Sequence, residues 1–243
     1  MITDIVGYSK LSGDNQDVAL ELLKEHDKIL FNSLSKFKGN ILKNRGDGVI
    51  AQFDVCSNAI KCSVEIQRKL KRRNTLNIKD RQLNIRIGIH YGEYIKEGNE
   101  IYGDCISIAT KLEPLAPSGG IVISEQLSNQ VKSLEYIYIR EYKKIQLDTD
   151  KNQEIYEIYI DIFDWYKNKK NKKSITFKTD FLSHAHSLLH KGDFSGAIKY
   201  TILYKESLDC KDSLEVDSFL ANLFISIGYF EEAKRILNNI EDK

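Results

Sequence analysis

Two aspartates, Asp4 and Asp47, stand where a carboxylate can do chemistry, each at a point where an apolar segment gives way to a glycine turn. Asp47 lies in Leu42-Lys43-Asn44-Arg45-Gly46-Asp47-Gly48-Val49-Ile50, a Gly-Asp-Gly turn that holds its carboxylate at the tip of a hairpin. Asp4 lies in Ile2-Thr3-Asp4-Ile5-Val6-Gly7-Tyr8-Ser9, where an apolar strand runs through Asp into a Gly turn and then a polar segment that can start a helix. Two carboxylates that meet repel each other unless a divalent cation lies between them. Oxygen-only ligands favour Mg²⁺ or Mn²⁺ over zinc. The backbone amides of Ile5, Val6, Gly7 and Tyr8, at a glycine turn opening a helix, would face phosphate oxygens beside such ions. The pattern points to a two-metal phosphate site, for which a nucleoside triphosphate is the natural ligand.

Several elements must position these residues. Residues 15–37 carry Val18, Leu22, His26, Ile29, Leu30, Leu34 and Phe37 at helical spacing, and Gly39 ends the helix. Residues 40–43 and 49–53 read as antiparallel strands joined across the Gly-Asp-Gly turn. Helical spacing returns over residues 55–72 through Cys56, Ala59, Ile60, Ser63, Ile66 and Leu70, with a basic end, Lys69 to Arg73, suited to the negative end of the helix dipole. The run Leu83 to Gly92 alternates with period two, and Tyr94-Ile95-Lys96 is expected to pair with it across a glycine. A third helix is expected over residues 104–115, stopped by Pro114 and Pro117. Ile121 to Ser124 then forms a short buried strand, Glu125 to Val131 a short helix, and Tyr136 to Leu147 with Glu154 to Ile160 a long hairpin. This order predicts an α+β fold, a ferredoxin-like βαββαβ sheet with helices on one face and an appended αβ unit and hairpin.

Composition changes at Trp165-Tyr166, and five of the seven residues from Lys167 to Lys173 are lysine. The expected organisation is a domain over 1–162, a Lys-rich solvated linker over 163–174, and an all-α segment over 175–243. Within that segment the Gly, Phe and Ala of His190-Lys191-Gly192-Asp193-Phe194-Ser195-Gly196-Ala197 recur 36 positions later in Ser226-Ile227-Gly228-Tyr229-Phe230-Glu231-Glu232-Ala233. Two helix hairpins of this kind resemble tetratricopeptide repeats. Two units rarely bury a solenoid core unaided, so further repeats downstream or packing against the first domain are expected. His184, His186 and His190 are spread around their helix, which predicts exposure rather than a metal cluster.

The 243 residues suffice for one large domain or two modest ones, and a net charge of +1 argues against a dedicated nucleic-acid binder. Cys56, Cys62, Cys105 and Cys210 lack metal-binding spacing, which fits a reduced, cytoplasmic protein. No apolar run long enough for a membrane span and no leader peptide is present. Met1 lies only three residues before Asp4, so an upstream piece is expected. His26 and His90 lie in apolar patterns and are expected to be packed, hydrogen-bonded histidines; packing is also the expected role of Cys105.

Taken together, Thr3 to Tyr8, Lys43 to Gly48, Ile85 to Gly92, Ile101-Tyr102-Gly103-Asp104 and Ala116 to Ser124 resemble, in order and spacing, a class III nucleotidyl cyclase, the family of adenylyl and guanylyl cyclases. The resemblance spans about residues 1–160. It implies that Asp4 and Asp47 bind two metal ions, with the Ile5 carbonyl as a further ligand, and that the substrate loses pyrophosphate on cyclisation. It also implies that Lys43 and Glu100 read the base; a donor and an acceptor there fit ATP, whereas guanylyl cyclases resemble one another in having Glu and Cys. Glu100 stands where Asp is usual. The family's transition-state Asn and Arg read here as Ser107 and Lys111, spaced i, i+4 on one helix face. Ser replaces an amide, and Lys offers a point charge where Arg makes a fork. A last-hairpin phosphate-binding lysine would be Lys143 or Lys144. The resemblance implies a head-to-tail homodimer, or a heterodimer with another cyclase chain, acting as an adenylyl cyclase with a repeat arm for a protein partner. The alternative is a catalytically weak or silent nucleotide-binding regulatory module.

Overall fold

The computed structural model describes residues 1–98, 100–134, 137–146, 152–167, 181–207 and 214–241. Strand β1 (Ile2–Ile5) ends at Gly7, whose φ of 76° turns the chain into a short helix α1 (Tyr8–Asp14). Asn15 closes α1 and caps α2 (Gln16–Lys36), its side chain accepting from the Val18 amide at 3.1 Å. Strands β2 (Asn40–Asn44) and β3 (Val49–Gln52) form the expected hairpin, with a bulge between Ile41 and Lys43. Helix α3 (Cys56–Thr75) leads to β4 (Ile85–Ile89). After the ribbon β5 (Ile95–Glu97) and β6 (Glu100–Tyr102) come α4 (Asp104–Leu112), a 3₁₀ turn Glu113–Leu115, β7 (Ile121–Ser124), α5 (Glu125–Val131), β8 (Tyr138–Gln146) and β9 (Asn152–Tyr159).

The sheet order is β2-β3-β1-β4-β7-β9-β8, with β4 and β7 parallel and the other pairs antiparallel. Its first four strands have the ferredoxin-like arrangement that alternating helical and strand periodicities predict. One expectation needs correction: helices cover both faces. On one face α2, α3 and α5 bury Leu22, Leu30, Ile66, Leu70 and Leu127 against Ile5, Val49, Ile85, Ile87 and Ile123. On the other, Ala109 of α4 packs with Ile2 and Ile50, while Leu112 and Ala116 pack with Val122 and Ile155. The signal was present in Ile121-Val122-Ile123, whose unbroken apolar run belongs to a strand buried on two sides. Fully burying each such side chain contributes about 1.5–3 kcal/mol, so the second layer is a substantial part of the core.

The strand pairing expected for Tyr94-Ile95-Lys96 also differs. β5 pairs with β6, Ile95 opposite Tyr102, in a separate ribbon turned at Gly98 (φ 60°). Tyr136, Leu147 and the loop 148–151 lie outside the described residues.

The chain divides into two compact units, Met1–Ile160 and Asp161–Lys243. In the second, α6 (Ile162–Lys167) is helical where the Lys-rich linker was expected to begin, and residues 168–180 lie outside the described residues. Helices α7 (Phe181–His190) and α8 (Phe194–Ser207) form one hairpin, and α9 (Leu214–Ser226) and α10 (Phe230–Glu241) another. Their turns match: Gly192 and Gly228 take φ of 76° and 82°, and the following residues, Asp193 and Tyr229, donate to Leu188 O and Phe224 O at 2.9 Å each. Both bonds close a helix C-terminus through a left-handed glycine. His186 and His190 are exposed as expected, whereas His184 is half-buried, its ring edge-on to Tyr200. Cys56, Cys62 and Cys105 are free thiols; Cys210 lies outside the described residues. No helix among the described residues is long and apolar enough to cross a membrane.

Two consequences are measurable. A Cβ at Gly88 would lie 2.4 Å from Glu113 N and 2.8 Å from Ala109 O, because α4 and its 3₁₀ turn rest directly on β4. Gly88→Ala is therefore expected to cost about 3 kcal/mol, read as a lowered denaturation midpoint. His26, 1% exposed, has its Nδ1 on Asp27 at 3.0 Å and its Nε2 buried without a hydrogen-bond partner among the described residues. Burial pushes its pKa below the ordinary 6.5, against the opposing pull of Asp27. The unfolded chain then binds more protons, so this residue's contribution is present above pH 6.5 and falls away as pH drops toward the folded-state value. Between pH 7 and 5 the unfolding midpoint of His26→Phe is expected to fall less steeply than that of the wild type; equal slopes would refute the assignment.

Candidate metal and phosphate site

The two aspartates come together because a turn is laid on a strand. Gly48 sits so close to β1 that a Cβ there would fall 1.8 Å from Thr3 O and 3.2 Å from Asp4 Cα. The Ile5 amide donates to Asp47 O at 3.0 Å, and the Val49 amide donates to Thr3 Oγ1 at 3.1 Å. Within the turn Gly46 takes φ of 93°, Arg45 N donates to Gly48 O at 2.8 Å and Gly46 N to Asn44 Oδ1 at 2.9 Å. Asp4 and Asp47 are thus joined across one backbone seam, each partly exposed. Their charges reach His26, where both favour the protonated ring. The same seam alters one expectation. Ile5 N is used by Asp47 O, and Val6 N donates to Asn84 O at 2.8 Å, so of the four expected phosphate-facing amides only those of Gly7 and Tyr8 remain candidates.

Asp4 also has a partner that sequence reasoning missed. Arg86 stands opposite it on β4, and its Nη2 donates to Asp4 Oδ2 at 2.9 Å. The Nε of the same guanidinium donates to Glu113 Oε1 at 2.8 Å, on the 3₁₀ turn held over Gly88. Glu113 is 5% exposed; burial pushes its carboxyl up, and the Arg86 charge holds it back. Arg86 was visible only as a polar residue in an alternating strand, and nothing in its own segment names partners 82 and 27 positions away.

A divalent cation fits this site by its donor chemistry. Carboxylate and backbone oxygens are hard ligands, and Asp4 Oδ2 already accepts a cationic group. Among the described residues no group of three or more His, Cys, Asp or Glu gathers to hold a metal. Coordination beyond Asp4, Asp47 and the Ile5 carbonyl would therefore come from phosphate oxygens and water.

The remaining expected residues are dispersed. Lys43 is exposed on β2 just after the bulge, and Glu100 stands opposite Glu97 in the β5–β6 ribbon. Ser107 and Lys111 are exposed on α4, whose Ala109 and Leu112 face the sheet, so the pair points away from the chain's own core. Lys143 lies over the Tyr142 ring, 4.7 Å from its centroid, and Lys144 is paired with Glu154 at 3.1 Å. His90 is hydrogen-bonded as expected, its Nδ1 2.8 Å from Ser124 Oγ, and burial lowers its pKa. A cleft of about 170 Å³ opens beside α4, walled by Ile2, Gln52, His90, Tyr94 and Cys105, at the opposite strand ends from Asp4 and Asp47. It contains none of the expected site residues.

The model of the family described as "Adenylate and Guanylate cyclase catalytic domain" matches residues 1–159. A Rhizobium meliloti (strain 1021) protein provisionally named adenylate cyclase 3 is 29% identical over 132 residues, which are 54% of this chain and 22% of that protein. The chain thus spans only about a fifth of that relative's length. A crystal structure of an adenylate/guanylate cyclase/hydrolase from Silicibacter pomeroyi has a TM-score of 0.58 at 25% identity, covering 65% of this chain and 94% of that one. The adenylyl cyclase CyaB from P. aeruginosa has a TM-score of 0.56 at 22% identity, covering 65% and 91%, a likeness of fold.

Proposed function

Starting from a chain that belongs to the adenylate and guanylate cyclase catalytic-domain family, we propose that it converts ATP to 3′,5′-cyclic AMP and pyrophosphate at a site shared between two cyclase chains, in the cytoplasm. The observation that carries this reading is the Gly48–Thr3 seam, which fixes Asp47 beside Asp4 by backbone contacts rather than by flexible side chains. Asp4, Asp47 and the Ile5 carbonyl would hold two Mg²⁺ or Mn²⁺ ions. Bound there, the ions would stabilise both the attacking 3′-oxygen and the departing pyrophosphate. The Gly7 and Tyr8 amides would take triphosphate oxygens.

The second chain's Lys43 would donate to adenine N1, and its Glu100 would accept from the N6 amine. Ser107 would orient the ribose and Lys111 would meet phosphate, supplied by the second chain. Their exposure on the outer face of α4 favours such sharing. A head-to-tail homodimer satisfies this, as does a heterodimer whose other chain brings Asn and Arg. The second unit, with its matched glycine turns, would be a pair of tetratricopeptide-like repeats binding a protein partner.

Two features support a second reading, a weak or silent regulatory module: Ser107 and Lys111 are poorer donors than an amide and a guanidinium, and Asp4 is already ion-paired. Losing one good transition-state donor costs about 10²- to 10³-fold in rate. Purified protein with Mn-ATP is expected to form cyclic AMP, resolved from AMP by chromatography, with Asp47→Ala at background. ATP binding without product above that variant would leave only the regulatory reading. The double change Ser107→Asn, Lys111→Arg is expected to raise the rate about tenfold or more; an unchanged rate would clear those two positions of limiting turnover.

A further inference from the structure

Among the described residues Arg86 is the cation seen paired with Asp4, and it is held from behind. Its guanidinium uses Nη2 on Asp4 and Nε on Glu113, so the arginine is shared between an outer and a buried acid. Glu113 is fixed by the close contact of its own backbone with Gly88, and at 5% exposure it has little water to replace Arg86. The fork is therefore anchored on Glu113 and shares Asp4 with whatever else binds there.

We propose that Arg86 is a resident counter-ion of the metal site: it holds Asp4 in place while no divalent cation is bound, and yields Asp4 Oδ2 on metal binding while remaining on Glu113. Arg86 is on this view a positioning residue that sets metal affinity, and Glu113 decides how firmly the guanidinium presses on Asp4. The inference rests on the metal-site reading of Asp4 and Asp47. It also fixes signs that plain structural support would not. Because guanidinium and divalent cation compete for one carboxylate, weakening the first strengthens the second, and the coupling is reciprocal. An arginine that only oriented Asp4 for metal would give the reverse.

The test is Mn²⁺ titration of the full chain, followed by electron paramagnetic resonance, with and without a non-cleavable ATP analogue. Arg86→Met is expected to bind Mn²⁺ about fivefold or more tightly than wild type, and its melting temperature without metal is expected to drop and recover more on adding Mn²⁺. Glu113→Gln, which frees the guanidinium to sit wholly on Asp4, is expected to weaken Mn²⁺ binding by a similar factor. Arg86→Lys keeps the charge without the fork and is expected to fall between wild type and Arg86→Met, which guards against a misfolded methionine variant. Asp47→Asn separates the two failures. If wild type binds no Mn²⁺, or Asp47→Asn binds it equally well, the metal-site reading falls. If Asp47→Asn weakens binding while folded Arg86→Met and Arg86→Lys match wild type or bind less tightly, the counter-ion role alone is overturned.

Discussion

The close approach of Gly48 to the backbone of Thr3 is the constraint on which the functional end of the first unit depends. A side chain at that position would overlap Thr3 O at 1.8 Å, so the β2–β3 turn can lie on β1 only because a glycine is there. Once it does, the Ile5 amide satisfies Asp47 O and Thr3 Oγ1 receives the Val49 amide. Each bond contributes only about 0.5–1.5 kcal/mol net, but together they turn two residues 43 positions apart into neighbours whose separation is set by main chain. Preorganisation of this kind removes the entropy of bringing two carboxylates together against their own repulsion.

A second close approach positions the rest. Gly88 admits α4 and its 3₁₀ turn onto the second face of the sheet. This contact places Glu113 over β4, within reach of Arg86, and leaves Ser107 and Lys111 on the outward side of the same helix. One packing decision thus supplies both the buried acid behind the carboxylate pair and an exposed pair on the outer face of α4. The helix could not do both from the crowded face, where α2, α3 and α5 already cover Ile5, Ile85, Ile87 and Ile123.

Much of this was legible in the residues alone, for identifiable reasons. Period-two alternation and helical spacing marked the sheet strands and long helices, because burial of one face imposes those periods. The Gly-Asp-Gly turn marked the hairpin and its carboxylate, because few sequences other than glycine accept such a turn. What was missed depended on long-range pairing. The run Ile121-Val122-Ile123 marks a strand buried on two sides but not which helix covers the second, and the β5–β6 ribbon was hidden because a three-residue strand carries almost no periodicity. Arg86 and Glu113 were silent for the same reason: an ion pair between β4 and a turn after α4 leaves no mark in either segment. The Ile5 and Val6 amides looked available for phosphate because local sequence does not reveal that Asp47 O and Asn84 O already accept from them.

The electrostatics of the site then constrain how a substrate can be accommodated. Arg86 joins Asp4 to Glu113, and burial raises the pKa of Glu113 while the Arg86 charge resists. The one guanidinium is already divided between two carboxyl groups, so it has little charge left for an incoming anion. A polyphosphate brought beside Asp4 and Asp47 would repel their carboxylates, and cations bridging the two would offset that repulsion. Lys43 and Lys111, the positive side chains expected to serve, are both exposed, one at a strand bulge and one on the outer face of α4. On the proposed reading, a bound triphosphate would be balanced by divalent cations at the seam and by cationic groups approaching from outside it, an arrangement that a second chain laid across α4 would supply.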